Sequence, residues 1–222
     1  QDLPSLDIGL HFVLAWGKPI SPASEIPSLL DRSGGFLPRH QLLVRGATGR
    51  LQRSDVAREL EAQLLRLHDA NIKPSFINGD QHVHILPIVR DVVVEAASRY
   101  GLAVRIPAEQ RIWRFGDARL IDWPKAIGRL LVKSTLGILN RGFAYRCRNM
   151  NISSNDQFVS PFGVFPAADF SLGTFHDIAD RIRDGLTELM VHPSYYDPAT
   201  SDFWIGGDKQ TKDRESEIMS LL

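Results

Sequence analysis

Leu6, Ile8, Leu10, Phe12 and Leu14 alternate with Asp7, Gly9, His11 and Val13. A period of two is that of a strand, and side chains two apart share a face. His11 therefore lies on the face opposite the five large apolar residues. The Pro/Gly/Ser-rich stretch from Gly17 to Gly46 predicts a long loop. Ser54 then reads as an N-cap with Asp55 in the first turn, and Val56, Leu60, Leu64 and Leu67 form the buried stripe of a helix. Asn71 ends that helix, and Pro74 precedes a strand from Ser75 to Gly79. Pro87 suits a first helical turn. Ile88, Val92, Val93, Ala96 and Ala97 give a second amphipathic helix, broken by Gly101, before a strand from Leu102 to Ile106. Ser75 to Ile106 is thus a strand–helix–strand unit, the signature of a parallel sheet.

The second half is less regular. Trp123-Pro124 opens a helix to about Asn140, and the polar stretch from Asn149 to Phe165, with Pro161 and Gly163, predicts a loop. Thr174 and Asp177 make a capping box for a helix with Ile178, Ile182 and Leu186. A short strand, Leu189 to Val191, ends at His192-Pro193, and a tail helix covers Asp213 to Leu222. The alternation of strands and helices gives an α/β fold, best read as an incomplete (β/α) barrel with parallel strands.

Within this pattern, Asn78-Gly79-Asp80-Gln81-His82-Val83-His84 places one acid and two imidazoles at two-residue spacing. On an extended backbone Asp80, His82 and His84 point the same way. Three metal-competent groups aimed into one space suit a divalent ion such as Zn, Mn or Co better than packing. The plainer alternative is a polar strand end whose histidines are only hydrogen-bonded. Ligands in α/β folds gather where strands end. Asp80, His82, His84 and His192 all fall just past strand ends, and with His11 they are expected on one rim.

A metal-bound water needs a base for its proton and an acid for the leaving group. His192, at a strand end before a proline, is the acid candidate; the alternative is a rim histidine bonded to backbone. Arg105 projects opposite Val104 and Ile106, to bind substrate polar groups, orient an acid or form a structural ion pair. Trp16, Trp113, Trp123 and Trp204 supply either a platform for a sugar ring or core packing. His40, His68 and His176 receive no role.

Composition narrows the function classes. The 222 residues fit one domain, 43% hydrophobic and 23% charged. Lys+Arg and Asp+Glu both number 26, so no global positive field favours nucleic acid or an anionic membrane. The one cysteine, Cys147, allows no intrachain disulfide, as in a reducing compartment, and reads as structural. No apolar run reaches the ~18 residues of a membrane span, and no leader pattern opens the chain, so a cytoplasmic location is expected. The chain opens on Gln1 and enters a core strand almost at once, as a piece of a longer protein would.

The segments Ile8-Gly9-Leu10-His11-Phe12-Val13-Leu14, Gly17-Lys18-Pro19, Asn78 to Pro87 and Met190-Val191-His192-Pro193 occur in that order. With Arg105-Ile106-Pro107 and Arg214-Glu215, the set resembles the YdjC-like carbohydrate deacetylases, including the chito-oligosaccharide deacetylases. The resemblance runs over nearly the whole chain. It implies a single (β/α)-barrel-like domain over residues 1–222 that removes acetyl groups from N-acetylated amino sugars. It also implies a divalent ion, usually magnesium, held by an aspartate and two histidines. The first histidine matches His11. The second falls at Asp80, where an oxygen ligand makes a harder, more negative site. Asn78 stands where the family's run begins with Asp. His82 and His84 are left to support ligands or substrate.

The family's opening Asp-Asp motif, which supplies a metal-binding aspartate and a base, has no counterpart here. About fifty residues, comparable to one or two βα units, precede the matching region in the family. A barrel without them exposes strand edges, which leaves a homodimer open as a partner. Three functions are therefore in play: a metal-dependent sugar deacetylase, a non-catalytic carbohydrate-binding protein of the same fold, and a metal phosphoesterase. The absence of a Gly-rich or basic phosphate cradle weighs against the last.

Overall fold

Strand β1 (Gly9–Phe12) buries Leu10 and Phe12 and leaves His11 on the other face, as its period of two requires. It is shorter than the apolar alternation: Leu6 lies before it and is exposed, and Leu14 lies after it and is buried. The computed structural model describes residues 6–110, 112–113, 123–165 and 169–195, together with 214, 217, 219 and 220. The fold is α/β with parallel strands. It divides into two compact units, one of residues 1–107 and 138–154, the other of residues 108–137 and 155–222.

In the first unit, β1, β2 (Phe76–Gly79) and β3 (Ala103–Val104) form a parallel sheet in that order. Leu10 pairs with Ile77 and His11 with Asn78. Between β1 and β2 run helices α1 (Arg39–Ala47) and α2 (Arg53–Asp69), and between β2 and β3 runs α3 (Pro87–Tyr100). Pro87 opens α3, and Gly101 closes it in the left-handed conformation at φ 67°, which glycine adopts without steric penalty. The C-terminal part of α4 (Trp123–Asn149) also belongs to this unit, burying Asn140, Phe143 and Cys147 along one face.

Three expectations change. The stretch from Gly17 to Gly46 is not wholly loop: short 3₁₀ turns at Ala23–Glu25 and Pro27–Leu29 precede α1, which starts after Pro38. Ser54 does not cap α2, whose N-cap is Gln52. Helix α4 extends to Asn149 rather than stopping near Asn140.

The polar residues on the buried side of α2 explain the order in the loop after β1. Glu59 accepts hydrogen bonds from the backbone of Ile20 (3.1 Å) and Ser21 (3.0 Å), and Asp55 from that of Ser28 (2.9 Å). Gln63 accepts from the Val13 amide (3.1 Å) and donates to its carbonyl (2.9 Å). These side chains satisfy backbone groups that no ladder reaches.

In the second unit, β4 (Ile112–Trp113) pairs with β6 (Val164–Phe165), and β5 (Gln157–Val159) with β7 (Thr187–Leu189), both in parallel. The expected loop from Asn149 to Phe165 thus contains two strands. Helix α5 (Leu172–Ala179) is capped at Ser171, three residues before the expected Thr174. Thr174 is buried and donates to Asp169 (2.8 Å). Ile182 and Leu186 lie beyond the helix and are exposed. The core here is Ile112, Val159, Val164 and Ile178. Of the tail helix, Arg214, Glu217, Met219 and Ser220 are described, and all four are helical. Trp204 and the side chains of Trp113 and Trp123 fall outside the described residues.

Candidate functional site

Two of the predicted residues meet. His11 and Asn78 are partners across the β1–β2 ladder, and in a parallel pair their side chains leave the sheet on the same side. The His11 Nδ1–H donates to Asn78 Oδ1, which fixes the ring and leaves Nε2 on the far side. Asp80 follows β2 directly, and its Oδ1 lies 3.6 Å from that Nε2. The His11 side chain is 55% exposed and that of Asp80 19%, so the pair sits at an open surface at the C-terminal end of the strands.

The Asp80 carboxylate is surrounded by donors. Gln81 Nε2 donates to Oδ2 (3.1 Å), and the Trp16 indole N–H is directed at the same group. Burial alone drives the Asp80 carboxyl up, but hydrogen bonds from His11, Gln81 and Trp16 outweigh it and hold the carboxyl below its ordinary value. The same carboxylate, helped by Asn78, raises His11 above the usual imidazole value against opposing burial and the charge of Arg105. Arg39, at the start of α1, also feels the Asp80 charge, although burial pulls its own value down.

The expected common aim of Asp80, His82 and His84 does not hold. The ladder ends at Gly79, and the next six residues, Asp80–Ile85, form 3₁₀ turns. Gln81 (φ 47°) and His82 (φ 59°) take left-handed backbone there, so the two-residue alternation is lost. Among the described residues, no three His, Cys, Asp or Glu side chains come together to hold a metal.

His84 is fully buried. Its Nε2–H donates to the Arg105 carbonyl (3.1 Å), and its ring packs edge-on to Phe143 at 5.8 Å. With no exposed surface, it braces the turn from behind. Burial first, and the neighbouring His82 second, hold it neutral. His82 is half-buried, 6.1 Å from the His84 ring. The Arg105 backbone N–H donates to Ile77 (3.1 Å), and its charge reaches His11.

His192 belongs to the second unit, three residues after β7. Its backbone N–H donates to Glu217 Oε2 (2.7 Å), and its ring meets Phe162 edge-on at 5.8 Å. Glu217 is buried and escaped the sequence reading, since nothing in a tail helix's pattern marks one inward carboxylate. Burial pushes the Cys147 thiol up to about 11, in keeping with a structural role.

The donor chemistry fits a divalent ion in part. An imidazole nitrogen and a carboxylate oxygen 3.6 Å apart can both reach one ion through bonds of ~2 Å.

The YdjC-like protein family matches residues 1–222, and the chain belongs to it. Among relatives, a carbohydrate deacetylase of Geobacillus stearothermophilus is 32% identical over 198 residues, covering 89% of this chain and 61% of its own length. A chitooligosaccharide deacetylase of an Enterobacter species is 36% identical over 107 residues, covering 48% of this chain and 40% of its own. The present chain therefore spans less than two thirds of either relative. The fold is that of an Enterococcus faecalis V583 crystal structure described as a candidate cellobiose-phosphate cleavage protein. That match has a TM-score of 0.68 and 20% identity and covers 98% of this chain and 70% of the other. Among the described residues no helix is long and apolar enough to cross a membrane.

Proposed function

We propose that this chain carries the larger part of a carbohydrate deacetylase that hydrolyses the acetamide of N-acetylated amino sugars, with His11 and Asp80 as two ligands of a divalent ion. The 3.6 Å approach of His11 Nε2 to Asp80 Oδ1 at an exposed strand end carries the reading. Membership of the YdjC-like family, and the deacetylase names of its relatives, support it.

A divalent ion in that place, magnesium by resemblance or Zn, Mn or Co by ligand type, polarises a carbonyl and makes bound water more acidic. The chain's own residues do the rest. Asn78 holds the His11 ring in the tautomer that offers Nε2 as a donor. Gln81 and Trp16 keep Asp80 ionised. The reaction adds water to an amide and releases acetate and an amine, so the departing nitrogen needs a proton. His192 is assigned that acid role. Arg105 is assigned to polar groups of the sugar, and His82 to support of the site.

Acetate release from an N-acetylglucosamine oligomer, measured with divalent ion and again after chelation, tests the reading. Release that chelation abolishes supports it. Saccharide binding with no release under either condition would instead favour a non-catalytic carbohydrate-binding protein, a reading to which Asp80 in the place of the family's histidine lends weight.

A further inference from the structure

A concavity lies at the opposite end of the β1–β2–β3 sheet. It sits between the C-terminal ends of α2 and α3, beside the residues that lead into β2 and β3, and encloses about 480 Å³. His11 and Asp80 lie at the C-terminal ends of the strands, whereas Ile72, Pro74 and Leu102 in this pocket precede them. The two places share no residue. The volume falls within the range of small-molecule sites, roughly 300–1,000 Å³.

The lining is mainly apolar, with Leu64, Leu65, Ile72 and Leu102 as walls. Leu65 is 58% exposed and Tyr100 48%, so two large apolar side chains of this hollow stand open to solvent. Besides Tyr100, three ionisable side chains, Glu61, His68 and Lys73, stand among them. Glu61 is already occupied: Arg99 Nη1 donates to Oε1 (3.0 Å) and the Tyr100 hydroxyl to Oε2 (2.5 Å). The side chains of Lys73 and His68 have no hydrogen bond or ion pair among the described residues. Among the described residues, the pocket therefore offers a visitor an apolar wall, an ammonium and an imidazole without partners. A sugar would find too few polar partners here, whereas an apolar chain or ring ending in one anionic group matches both features.

We propose that the pocket between α2 and α3 binds a small amphipathic carboxylate, its apolar body against Leu64, Leu65, Ile72 and Leu102 and its head at Lys73. The site is independent of the deacetylase reading and stands or falls without it.

Octanoate serves as the probe, with octanol as its uncharged counterpart, titrated by calorimetry into the intact protein. The expected result is one octanoate per chain, with octanol weaker. Lys73→Gln weakens octanoate by about threefold to fivefold, the scale of an exposed ion pair, and leaves octanol unchanged. Leu65→Asp abolishes both. Both positions are exposed, so unchanged melting curves will show that the variants fold. The proposal is overturned by the absence of saturable octanoate binding up to about 10 mM, well beyond any specific affinity of this kind. Equal binding of octanol and octanoate, or indifference to Leu65→Asp, overturns it as well. A dimer dissolved by Leu65→Asp, with no octanoate bound, would give the surface to a second copy and has the same effect.

Discussion

A Cβ on Gly79 would stand 2.6 Å from Nδ1 of His84. The backbone of Gly79 is ordinary extended chain, φ −133° and ψ 140°, so the glycine is required by space and not by conformation. The His84 ring fills the place of a side chain at the last paired residue of β2, directly before Asp80. Gly79→Ala is expected to destabilise the fold by about 1–3 kcal/mol, the usual range for overpacking. In a His84→Ala background the same change should be milder by about 1 kcal/mol, since the closest contact, to the ring, is removed while those to the Cβ and backbone N of residue 84, at 3.0 Å, remain. Urea denaturation of the four proteins checks this; additive losses would show that the two positions are not coupled.

His84 also sets a pH dependence. Its folded-state value lies well below the ordinary imidazole range because of burial and the neighbouring His82. In the unfolded chain it takes up a proton near pH 6.5. Above that pH it contributes no slope. Below it the unfolded state binds a proton that the folded state refuses, so stability is lost as pH falls, by up to about 1.4 kcal/mol per unit. Unfolding free energies at pH 7.5 and 5.5 should diverge more in wild type than in His84→Gln, and equal differences would refute the assignment.

Much of the first unit was legible because short-range rules decided it. The alternation round His11 placed that residue opposite Leu10 and Phe12, and Pro87 and Gly101 bounded α3 as their backbone preferences require. The turn after Gly79 was not legible, because it depends on where the ladder stops and on a ring filling the glycine's space. An alternating Asp/His run therefore looked extended when two of its residues are left-handed. Strands β5 and β6 were hidden by their length of three and two residues, too short to show a period. The Trp16 and Arg39 neighbours of Asp80 come from a loop and a helix start that only tertiary contacts bring near. Glu217 gave no sign at all.

Asn78 should matter through His11. Asn78→Ala removes the acceptor that fixes the ring, and loss of such an outer partner lowers metal affinity by about tenfold to hundredfold. Asn78→Asp keeps an acceptor and adds a charge that raises His11 further. It should keep binding at neutral pH but lose it at a higher pH than wild type as acid is added. Mn²⁺ titrations across pH 5.5 to 8 would read both effects, and identical curves for all three proteins would count against any role for Asn78.

Glu217 should act on His192 without touching the reactants. Glu217→Ala removes the acceptor of the His192 backbone N–H and should lower kcat by about tenfold to hundredfold, as small misplacements of an acid do. KM should change less, and the alkaline limb of the pH profile, which reports the acid, should move. Glu217→Gln keeps an oxygen acceptor and should restore most of kcat. A variant that merely loses stability, with the pH profile in place, would make Glu217 a core residue alone.

The pairing of His11 with Asp80 is tested most directly by calorimetric titration of Mn²⁺ into the metal-stripped protein, beside His11→Ala and Asp80→Ala. One ion per chain is expected for wild type, and affinity should fall by at least about a hundredfold in each variant, as when a ligand is lost from a site with few donors. Undiminished one-to-one binding in either variant would place the ion elsewhere and contradict the account.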